Sequence, residues 1–333
     1  MNISVIGCGR WGTFIAYYLN SISHKVTIYG RPHSSNFTAL ALYRRNEYVT
    51  LPEGINLTSD ISEICDSDVV VISIPSHGLR NLCEELNQYN LRNKIIVLCM
   101  KGLEVGTCLR LSEIVKDVCD PSNKIAVWVG PGHPEDFYRG VPSCMVIDSE
   151  NESIKYLLIR EFSSDLVRFY YGSDMIGNEV GAALKNVIGI AAGVLDGLNM
   201  TSLKGPLMSR GAKEVSLLIS AMGGNAVSAY GLCHLGDYEA TLFSERSHNR
   251  CLGEAVVAGD TFSKLAEGYY TAKAVIGLCD KYGIEMPVCR GVYDILYNKI
   301  DAKLVIDRLF KRKVANEFPF RYNANGGLDN AQY

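Results

Sequence analysis

The stretch that decides the fold stands at the start of the chain, Ile3-Ser-Val-Ile-Gly7-Cys-Gly9-Arg-Trp-Gly12. A short apolar run precedes three glycines in the pattern GxGxxG, and an amphipathic helical pattern follows them. Gly7 permits a tight turn, Gly9 lets the backbone approach a diphosphate, and Gly12 lets the helix pack closely on the strand. Unpaired N–H groups and the helix dipole favour an anion at the N-terminus of that helix. The stretch therefore predicts a dinucleotide-binding unit.

The end of the second predicted strand bears on the type of dinucleotide. NAD-binding units commonly carry an acidic residue there, which binds the ribose 2′-hydroxyl. This chain has Tyr29-Gly30-Arg31-Pro32-His33-Ser34 instead. The Arg31 guanidinium could pair with the 2′-phosphate of NADP, because its geometry matches that of phosphate oxygens. It could also stack on the adenine or remain in solvent, so the choice between NAD and NADP stays open.

Short apolar runs alternate with amphipathic helical patterns through the first half of the chain. Several runs are apolar on both faces, as are the strands of a parallel sheet covered by helices. The alternation predicts an α/β fold with a doubly wound, Rossmann-type sheet. The predicted strands are Ile3–Ile6, Val26–Tyr29, Val69–Ile74, Ile95–Cys99, Ile125–Val129, Cys144–Ile147 and Val167–Tyr171. The predicted helices between them are Trp11–Ser21, Leu79–Asn87, Leu109–Val118 and Ile154–Phe162.

The pattern changes after Gly172, because no convincing strand follows it. Helical patterns cover Glu179–Leu195, Ala212–Met222, Thr261–Lys281 and Cys289–Asn298. We therefore expect a dinucleotide-binding domain at 1–173, an all-helical catalytic and substrate domain at 174–312, and a loose tail at 313–333. The segment Val215–Gly236 lacks charged residues, but glycines and polar residues interrupt it. We expect two buried helices with a break there, and no membrane span.

The composition of the 333 residues excludes several classes of protein. Hydrophobic residues make up 47% and charged residues 21%, as in globular proteins and unlike disordered or collagen-like chains. The 33 Lys and Arg and the 36 Asp and Glu form no long runs of one sign, which argues against a nucleic-acid-binding surface. The 11 cysteines are scattered singly. The first residues contain no basic stretch followed by a long apolar run, so we expect no signal peptide. We therefore expect a cytoplasmic protein with reduced thiols, no metal site and no membrane insertion.

Further motifs follow the later predicted strands and open the helical part. They are Lys101-Gly102-Leu-Glu104, Gly130-Pro131, Ala183-Leu-Lys185-Asn186-Val187, Gly236-Asp237, Ser247-His248-Asn249-Arg250, Glu267-Gly268 and Glu285-Met-Pro287. In this order, and together with the opening GxGxWG, they resemble the soluble NAD(P)-dependent glycerol-3-phosphate dehydrogenases. The resemblance runs from residue 1 to about residue 312.

The resemblance implies an activity and the residues that carry it. Members of this family reversibly reduce dihydroxyacetone phosphate to sn-glycerol 3-phosphate, which supplies the backbone of phospholipids. By motif match, Lys185 is the catalytic acid–base and NAD(P)H is the cofactor. The implied substrate-binding residues are Lys101, Gly130, Gly132, Lys185, Asp237, Ser247, His248 and Asn249. The implied cofactor-binding residues are Gly7, Gly9, Arg10, Trp11, Gly12, Arg31, Lys101, Pro134, His248 and Glu267. Helical domains of this kind often pair across a two-fold axis, so we also expect a homodimer.

Lys185 has two interpretations when its own segment is considered. A single lysine in a helix is usually a solvated surface residue. Here the neighbours Gly181, Ala182 and Gly189 predict tight packing, and a buried lysine needs a partner or a lowered pKa. Asp237 is the candidate partner, and the resemblance favours catalysis.

Two positions depart from the family's pattern, and both lie at the anion-binding end of the expected site. His248 stands where the family has an arginine that touches the substrate phosphate and the cofactor. The segment GPGHPE at 130–135 replaces the family's Gly-Pro-Ser/Thr-Phe-Ala. A related two-domain dehydrogenase for a different small hydroxy or keto compound is therefore the alternative. A second alternative is a protein that senses nucleotides without catalysing a reaction. The presence of Lys185 and Asp237 argues against it.

Overall fold

An eight-stranded mixed sheet forms the N-terminal part of the molecule. The computed structural model describes residues 1–47, 49–314, 317, 321–322 and 328–329. The strands of the sheet are β1 (Asn2–Ile6), β2 (Lys25–Tyr29), β3 (Ile55–Thr58), β4 (Val69–Ile72), β5 (Ile95–Leu98), β6 (Lys124–Val129), β7 (Ser143–Asp148) and β8 (Val167–Tyr171). Two further two-residue strands, β9 (Arg321–Tyr322) and β10 (Leu328–Asp329), pair with each other. Most of the predicted tail lies outside the described residues.

The strand order is β3-β2-β1-β4-β5-β6-β7-β8, so the chain reverses its direction of travel across the sheet between β1 and β4. Ligands of doubly wound sheets bind beyond the carboxyl ends of the strands at such a switch point. The first six strands in chain order are parallel, which confirms the predicted Rossmann-type arrangement. The sequence patterns did not predict β3, which is short and only partly apolar.

The last two strands depart from the parallel arrangement of the first six. β7 runs antiparallel to β6, and β8 runs parallel to β7. Between β6 and β7 lies a single helix of five residues, Pro134–Tyr138. At 1.5 Å per residue this helix is about 8 Å long, whereas a return along the six-residue β6 needs about 20 Å. This helix alone does not return the chain to the start of β6, and β7 instead pairs antiparallel beside it.

Helices cover both faces of the sheet and make up the C-terminal part. They are α1 (Arg10–Ser21), α2 (Ser35–Tyr43), α3 (Leu79–Gln88), α4 (Leu111–Val118), α5 (Pro134–Tyr138), α6 (Glu152–Phe162), α7 (Met175–Gly197), α8 (Lys204–Ala221), α9 (His248–Ala258), α10 (Glu267–Tyr282), α11 (Pro287–Leu296) and α12 (Ala302–Phe310). Val5 faces a core shared with α1 and α6, and its neighbour Ile6 faces a core shared with α3 and α4. The patterns missed α2, α5, α9 and α12.

A third hydrophobic core surrounds α7, most of whose residues are buried. Among the described helices, α7 alone is long and apolar enough to cross a membrane, and 83% of its apolar window is buried inside the molecule, as in core helices. The expected second helix within Val215–Gly236 does not form. α8 ends at Ala221, Gly223 adopts a positive φ of 86°, and only short 3₁₀ turns follow.

α7 and α9 approach each other unusually closely. A Cβ atom on Gly193 of α7 would lie 1.9 Å from the carbonyl oxygen of Arg250, and one on Gly253 of α9 would lie 2.2 Å from the carbonyl oxygen of Ile190. Only glycines permit this contact between backbones. It fixes the N-terminus of α9 next to the middle of α7, where Lys185 is located.

Candidate active site

A cavity of about 630 Å³ opens at the carboxyl ends of the first strands, between the sheet and the C-terminal helices. Its walls come from the turn after β1, the ends of β2, β4 and β5, and the starts of α9 and α10. Of the site residues expected from the sequence, those that line it are Gly7, Gly9, Arg10, Trp11, Arg31, Lys101, His248, Asn249 and Glu267. Of the remaining expected residues, the Lys101 side chain contacts Gly130 and Asp237.

The glycine turn between β1 and α1 has the geometry that a diphosphate requires. Gly7 has a φ of 124°, and a Cβ there would lie 2.2 Å from the Ser73 carbonyl oxygen. A Cβ on Gly12 would lie 2.2 Å from the Gly7 carbonyl oxygen, so both positions are closed to side chains. A Cβ on Gly9, by contrast, would meet nothing within 4 Å. Gly9 caps α1 and faces open space, which leaves room for a ligand at the N-terminus of the helix.

The second strand ends beside a basic residue and the start of another helix. Arg31 is exposed. Together with Ser34 and Asn36, it lines the cavity. Ser34 caps α2, and its hydroxyl accepts from the Phe37 N–H at 3.5 Å. A guanidinium and a helix N-terminus thus lie together at the position where a ribose 2′-substituent is expected.

Two lysines converge on one buried carboxylate beyond the ends of β5 and β6. The Lys185 and Lys101 ammonium groups each lie 2.7 Å from Oδ2 of Asp237, whose side chain is 1% exposed. Lys101 also donates to the Gly130 carbonyl oxygen at 2.7 Å. Lys185 donates to Oγ1 of Thr241 at 2.7 Å. We call Lys101, Lys185, Asp237 and Thr241 the lysine cluster.

The electrostatics of this cluster favour proton transfer by Lys185. Burial is the largest influence and lowers the pKa of Lys185 to about 8, with Lys101 acting in the same direction. Asp237 opposes this shift, because its negative charge favours the ammonium form. A lysine with a pKa near working pH can both give up and regain a proton.

The structure adds two residues that the motif analysis did not assign to the site. Thr241 follows Asp237 by four residues, and its hydroxyl donates to the Asp237 carbonyl oxygen at 2.7 Å. Asn186 directly follows Lys185 and donates to the Lys101 carbonyl oxygen at 3.3 Å. Two sequence features could have indicated these residues. Thr241 is four residues from Asp237, a spacing that places two side chains on one face of a helix, and Asn186 is adjacent to Lys185.

The N-terminus of α9 forms the side of the site where an anion is expected. Ser247 caps this helix. His248 Nδ1 donates to the Leu265 carbonyl oxygen at 2.9 Å, so the neutral ring has no proton on Nε2. The Asn249 side-chain amide donates a hydrogen bond to Oδ1 of Asn186 and accepts one from the Gly268 N–H. Arg250, conversely, is held by two acidic side chains, those of Asp196 and Glu254, and is not available to an anion.

Glu267 joins the two sides of the cavity. Its Oε1 accepts from the Ser76 N–H at 2.9 Å, and the Ser76 hydroxyl donates to Oε2. Burial raises the pKa of Glu267. The carboxylate at the start of α10 therefore ties the helical part to the loop after β4, next to the expected cofactor.

The loop after β6 carries the remaining expected residues. A Cβ on Gly132 would lie 2.5 Å from the Phe137 ring, so no side chain fits there. Pro134 is buried as the first residue of α5 and offers no N–H. Arg10 makes two hydrogen bonds to the Glu135 carboxylate, at 2.7 and 2.5 Å. Arg10 thus fixes this loop against the glycine turn.

Comparison with known proteins agrees with this geometry. Residues 2–155 match the model of the NAD-dependent glycerol-3-phosphate dehydrogenase N-terminus, and residues 174–307 match that of the C-terminus. The chain belongs to the NAD-dependent glycerol-3-phosphate dehydrogenase family. The resemblance found in its motifs is thereby confirmed.

Individual members of the glycerol-3-phosphate dehydrogenase family are similar over nearly the whole chain. The curated glycerol-3-phosphate dehydrogenase of Thermoanaerobacter sp. (strain X514) is 34% identical over 309 residues, 89% of this chain and 93% of that protein. That of Fusobacterium nucleatum is 35% identical over 326 residues, 94% of this chain and 97% of that protein. The crystal structure of the Coxiella burnetii enzyme superposes with a TM-score of 0.87 at 26% identity, covering 93% of this chain and 99% of that one.

Proposed function

We propose that the protein is an NAD(P)-dependent sn-glycerol-3-phosphate dehydrogenase that reduces dihydroxyacetone phosphate, and that it supplies phospholipid synthesis. The observation that carries the proposal is the lysine cluster, which sits beside a cavity with a dinucleotide-binding turn. The curated relatives described above bear this activity in their names.

The residues present fit the dinucleotide. The open side of Gly9, the N-terminus of α1 and the basic end of β2 match a diphosphate and an adenosine ribose. When bound, NAD(P)H supplies the hydride that reduces the ketone. The chain itself has to hold the ketone at the lysine cluster and provide the proton.

Lys185 is the proposed proton donor. Reduction of a ketone builds negative charge on its oxygen, and an ammonium at hydrogen-bond distance stabilises that charge and then transfers its proton. Asp237 and the Thr241 hydroxyl fix the direction of the Lys185 ammonium group. Lys101 contributes a second positive charge on the same side. In the reverse reaction, neutral Lys185 takes the proton from the alcohol.

The N-terminus of α9 is the proposed seat of the substrate phosphate. Ser247, His248 and Asn249 lie there, and the free N–H groups of a first helical turn favour an anion. Gly130, whose carbonyl oxygen accepts from Lys101, and Gly132 are further proposed substrate contacts. His248 in place of the family's arginine suggested a different substrate, but this alternative is not favoured, because the relatives that span the chain are named glycerol-3-phosphate dehydrogenases.

The decisive experiment follows the absorbance of reduced nicotinamide with purified protein and dihydroxyacetone phosphate. NADH and NADPH are tested separately, and the reverse reaction is run with sn-glycerol 3-phosphate and the oxidised cofactors. We expect turnover that saturates with the phosphorylated triose. No oxidation of either cofactor, with cofactor binding intact, would favour the related dehydrogenase with another substrate.

The assembly, location and domain limits are further parts of the proposal. We propose a cytoplasmic homodimer in which residues 1–173 bind the dinucleotide and residues 174–312 provide the helical catalytic domain. Light scattering should give about twice the 36.7 kDa of one chain. A mass that stays at one chain at assay concentrations would contradict the dimer.

A further inference from the structure

A buried histidine connects the turn that carries Asp237 to the helix that carries Lys185. His234 is 0% exposed and precedes Asp237 by three residues. Its Nδ1 lies 2.9 Å from the Gly181 carbonyl oxygen in α7, and its Nε2 lies 2.6 Å from the Tyr238 hydroxyl. A carbonyl oxygen only accepts, so Nδ1 donates to Gly181, and Nε2 of the neutral ring accepts from Tyr238. Both ring nitrogens are therefore engaged within the protein.

The charge state of this histidine is fixed near neutral pH. Burial is the main cause that lowers the pKa of His234 to about 4, so the imidazole is neutral. The Lys185 ammonium acts in the same direction, whereas the hydrogen bond to Gly181 and the Asp237 carboxylate oppose it. Burial also raises the pKa of Tyr238, so its hydroxyl keeps the proton that it donates. Both hydrogen bonds therefore persist over the pH range in which Lys185 titrates.

The contacts of His234 lead to the backbones of both partners of an ion pair in the lysine cluster. In an α-helix the Gly181 carbonyl accepts from the Lys185 N–H, so His234 binds the carbonyl that also holds the Lys185 backbone. The His234 carbonyl oxygen accepts from the Asp237 N–H at 3.0 Å. One residue thus connects the backbones of Lys185 and Asp237, whose side chains meet at 2.7 Å.

Close packing leaves the histidine little room to move. A Cβ atom on Gly181 would lie 3.0 Å from Cβ of His234, so the turn meets α7 at a glycine. The rings of His234 and Tyr238 pack edge to face, with centroids 4.8 Å apart. A Cβ on Gly211 of α8 would lie 3.0 Å from the Tyr238 hydroxyl. The two rings are thus held between two helices, and the turn is held with them.

Resting on the proposed function, we propose that His234 is a positioning residue, which holds the Asp237 turn against α7 and so keeps the carboxylate aligned with the Lys185 ammonium group. Charge alone does not fix this alignment, because Lys101 lies 2.7 Å from the same carboxylate oxygen and would still neutralise Asp237 if the turn moved. The hydrogen bond from His234 to α7 supplies the fixed distance. A displacement of about 1 Å in a reacting group costs about a hundredfold in rate.

The test replaces His234 by leucine, which removes both hydrogen bonds, and by asparagine, whose amide nitrogen takes the place of Nδ1 and can donate to Gly181. We expect kcat with dihydroxyacetone phosphate to fall about tenfold to a hundredfold in His234→Leu and less than about threefold in His234→Asn. The KM for the substrate and the Kd for NADPH should stay within about twofold, because an alignment of the proton donor acts on the transition state.

The titration of Lys185 separates positioning from a loss of stability. Leucine leaves the Tyr238 hydroxyl without an acceptor, and buried unpaired groups recruit water. Because burial is the main cause that lowers the pKa of Lys185, water between the turn and α7 raises it. The loss of reduction rate at alkaline pH should therefore begin about one pH unit higher in His234→Leu. The NMR shift of the Lys185 Cε carbon, assigned by its absence in Lys185→Met, reports the same pKa without turnover.

His24→Leu is the matched control. His24 is also buried, and its Nε2 donates to the Glu161 carbonyl oxygen at 2.9 Å, but it lies in the loop between α1 and β2. This variant should have a lower Tm, with kcat and the pKa of Lys185 unchanged. Gly181→Ala tests the same contact from the side of α7, and also does so if His234→Leu does not fold. Its Cβ displaces His234, so kcat should fall while both hydrogen-bonding side chains remain.

Two results would overturn the inference. One is a folded His234→Leu variant with the kcat and the Lys185 pKa of the wild type. The other is a shift of the Lys185 pKa in His24→Leu as large as that in His234→Leu, because a general loosening of the protein would then explain both. If the wild type shows no turnover, the proposed function fails, and the pKa of Lys185 from NMR still decides whether His234 positions the ion pair.

Discussion

Replacing Lys185 by methionine tests the centre of the proposed chemistry. Methionine keeps most of the side-chain volume and removes the ammonium group that contacts Asp237 and Thr241 at 2.7 Å. Breaking a buried ion pair normally leaves an uncompensated charge and destabilises a protein strongly. Here Lys101 remains 2.7 Å from the same carboxylate oxygen, so Asp237 keeps a partner. We therefore expect a folded variant.

The expected kinetic effect of Lys185→Met is large. Loss of a general acid costs about 10²–10⁴-fold in rate, and loss of a charge that stabilises the developing oxyanion adds to this. We expect kcat to fall by about a thousandfold or more, with the Kd for NADPH within threefold, because the glycine turn is untouched. Lys185→Arg should restore little, since a guanidinium does not release its proton. A folded Lys185→Met variant with kcat within tenfold of wild type would refute the role.

The pH dependence of the wild type gives an independent check on the same residue. With the pKa of Lys185 lowered to about 8, ketone reduction needs the ammonium form and should lose rate above pH 8, about tenfold per pH unit. Alcohol oxidation needs the neutral amine and should gain rate up to about pH 8 and then level off. Lys155→Met is the matched control, because Lys155 is also buried and ion-paired but lies in α6. The Lys155→Met variant should be less stable, and both of its pH profiles should match those of the wild type. If the wild-type reduction rate does not fall above pH 8, or its oxidation rate does not rise up to pH 8, the assignment of Lys185 is contradicted.

Three further predictions concern the cofactor, the anion and the packing of α9. Arg31→Ala should raise the KM for NADPH about tenfold and barely change that for NADH, since a charge-assisted bidentate contact is worth about 1.5–3 kcal/mol; equal changes would exclude a 2′-phosphate contact. His248→Arg should lower the KM for dihydroxyacetone phosphate about threefold or more, because a guanidinium always carries donors toward an anion, and an unchanged KM would place the phosphate elsewhere. Gly193→Ala places a Cβ 1.9 Å from the Arg250 carbonyl oxygen, so unfolding in urea should show a loss of about 1–3 kcal/mol, and substrate KM should rise; a variant as stable as wild type would contradict the close packing.

Local sequence predicted the parts of the site whose geometry is set by neighbouring residues. The glycine turn after β1 follows from steric limits at Gly7 and Gly12, and the structure shows both positions closed to a Cβ. Five of the first six strands, all except β3, follow from the alternation of short apolar runs and helices. The small residues around Lys185 predicted tight packing, and Lys185 is indeed buried.

Tertiary contacts decided the features that the sequence patterns did not predict. β7 runs antiparallel to β6, with only the five-residue α5 between them, and a pattern of apolar residues does not reveal this direction. His234 and Thr241 gain their significance from what they touch: Gly181 is 53 residues away from His234, and Lys185 is 56 residues away from Thr241. Such pairs lie beyond any periodicity of 2 or 3.6 residues.

The charge balance of the lysine cluster explains why two lysines share one carboxylate. With both ammonium groups protonated, the two cations and one anion leave a single positive charge, which matches the negative charge that develops on a reduced ketone oxygen. After Lys185 has given up its proton, Lys101 still neutralises Asp237, so no uncompensated charge is left buried. A lone Lys185–Asp237 pair would resist proton loss, because the carboxylate would then stand alone in the interior. Lys101 therefore makes both protonation states of Lys185 tolerable, and the proposed reaction needs both because it runs in either direction.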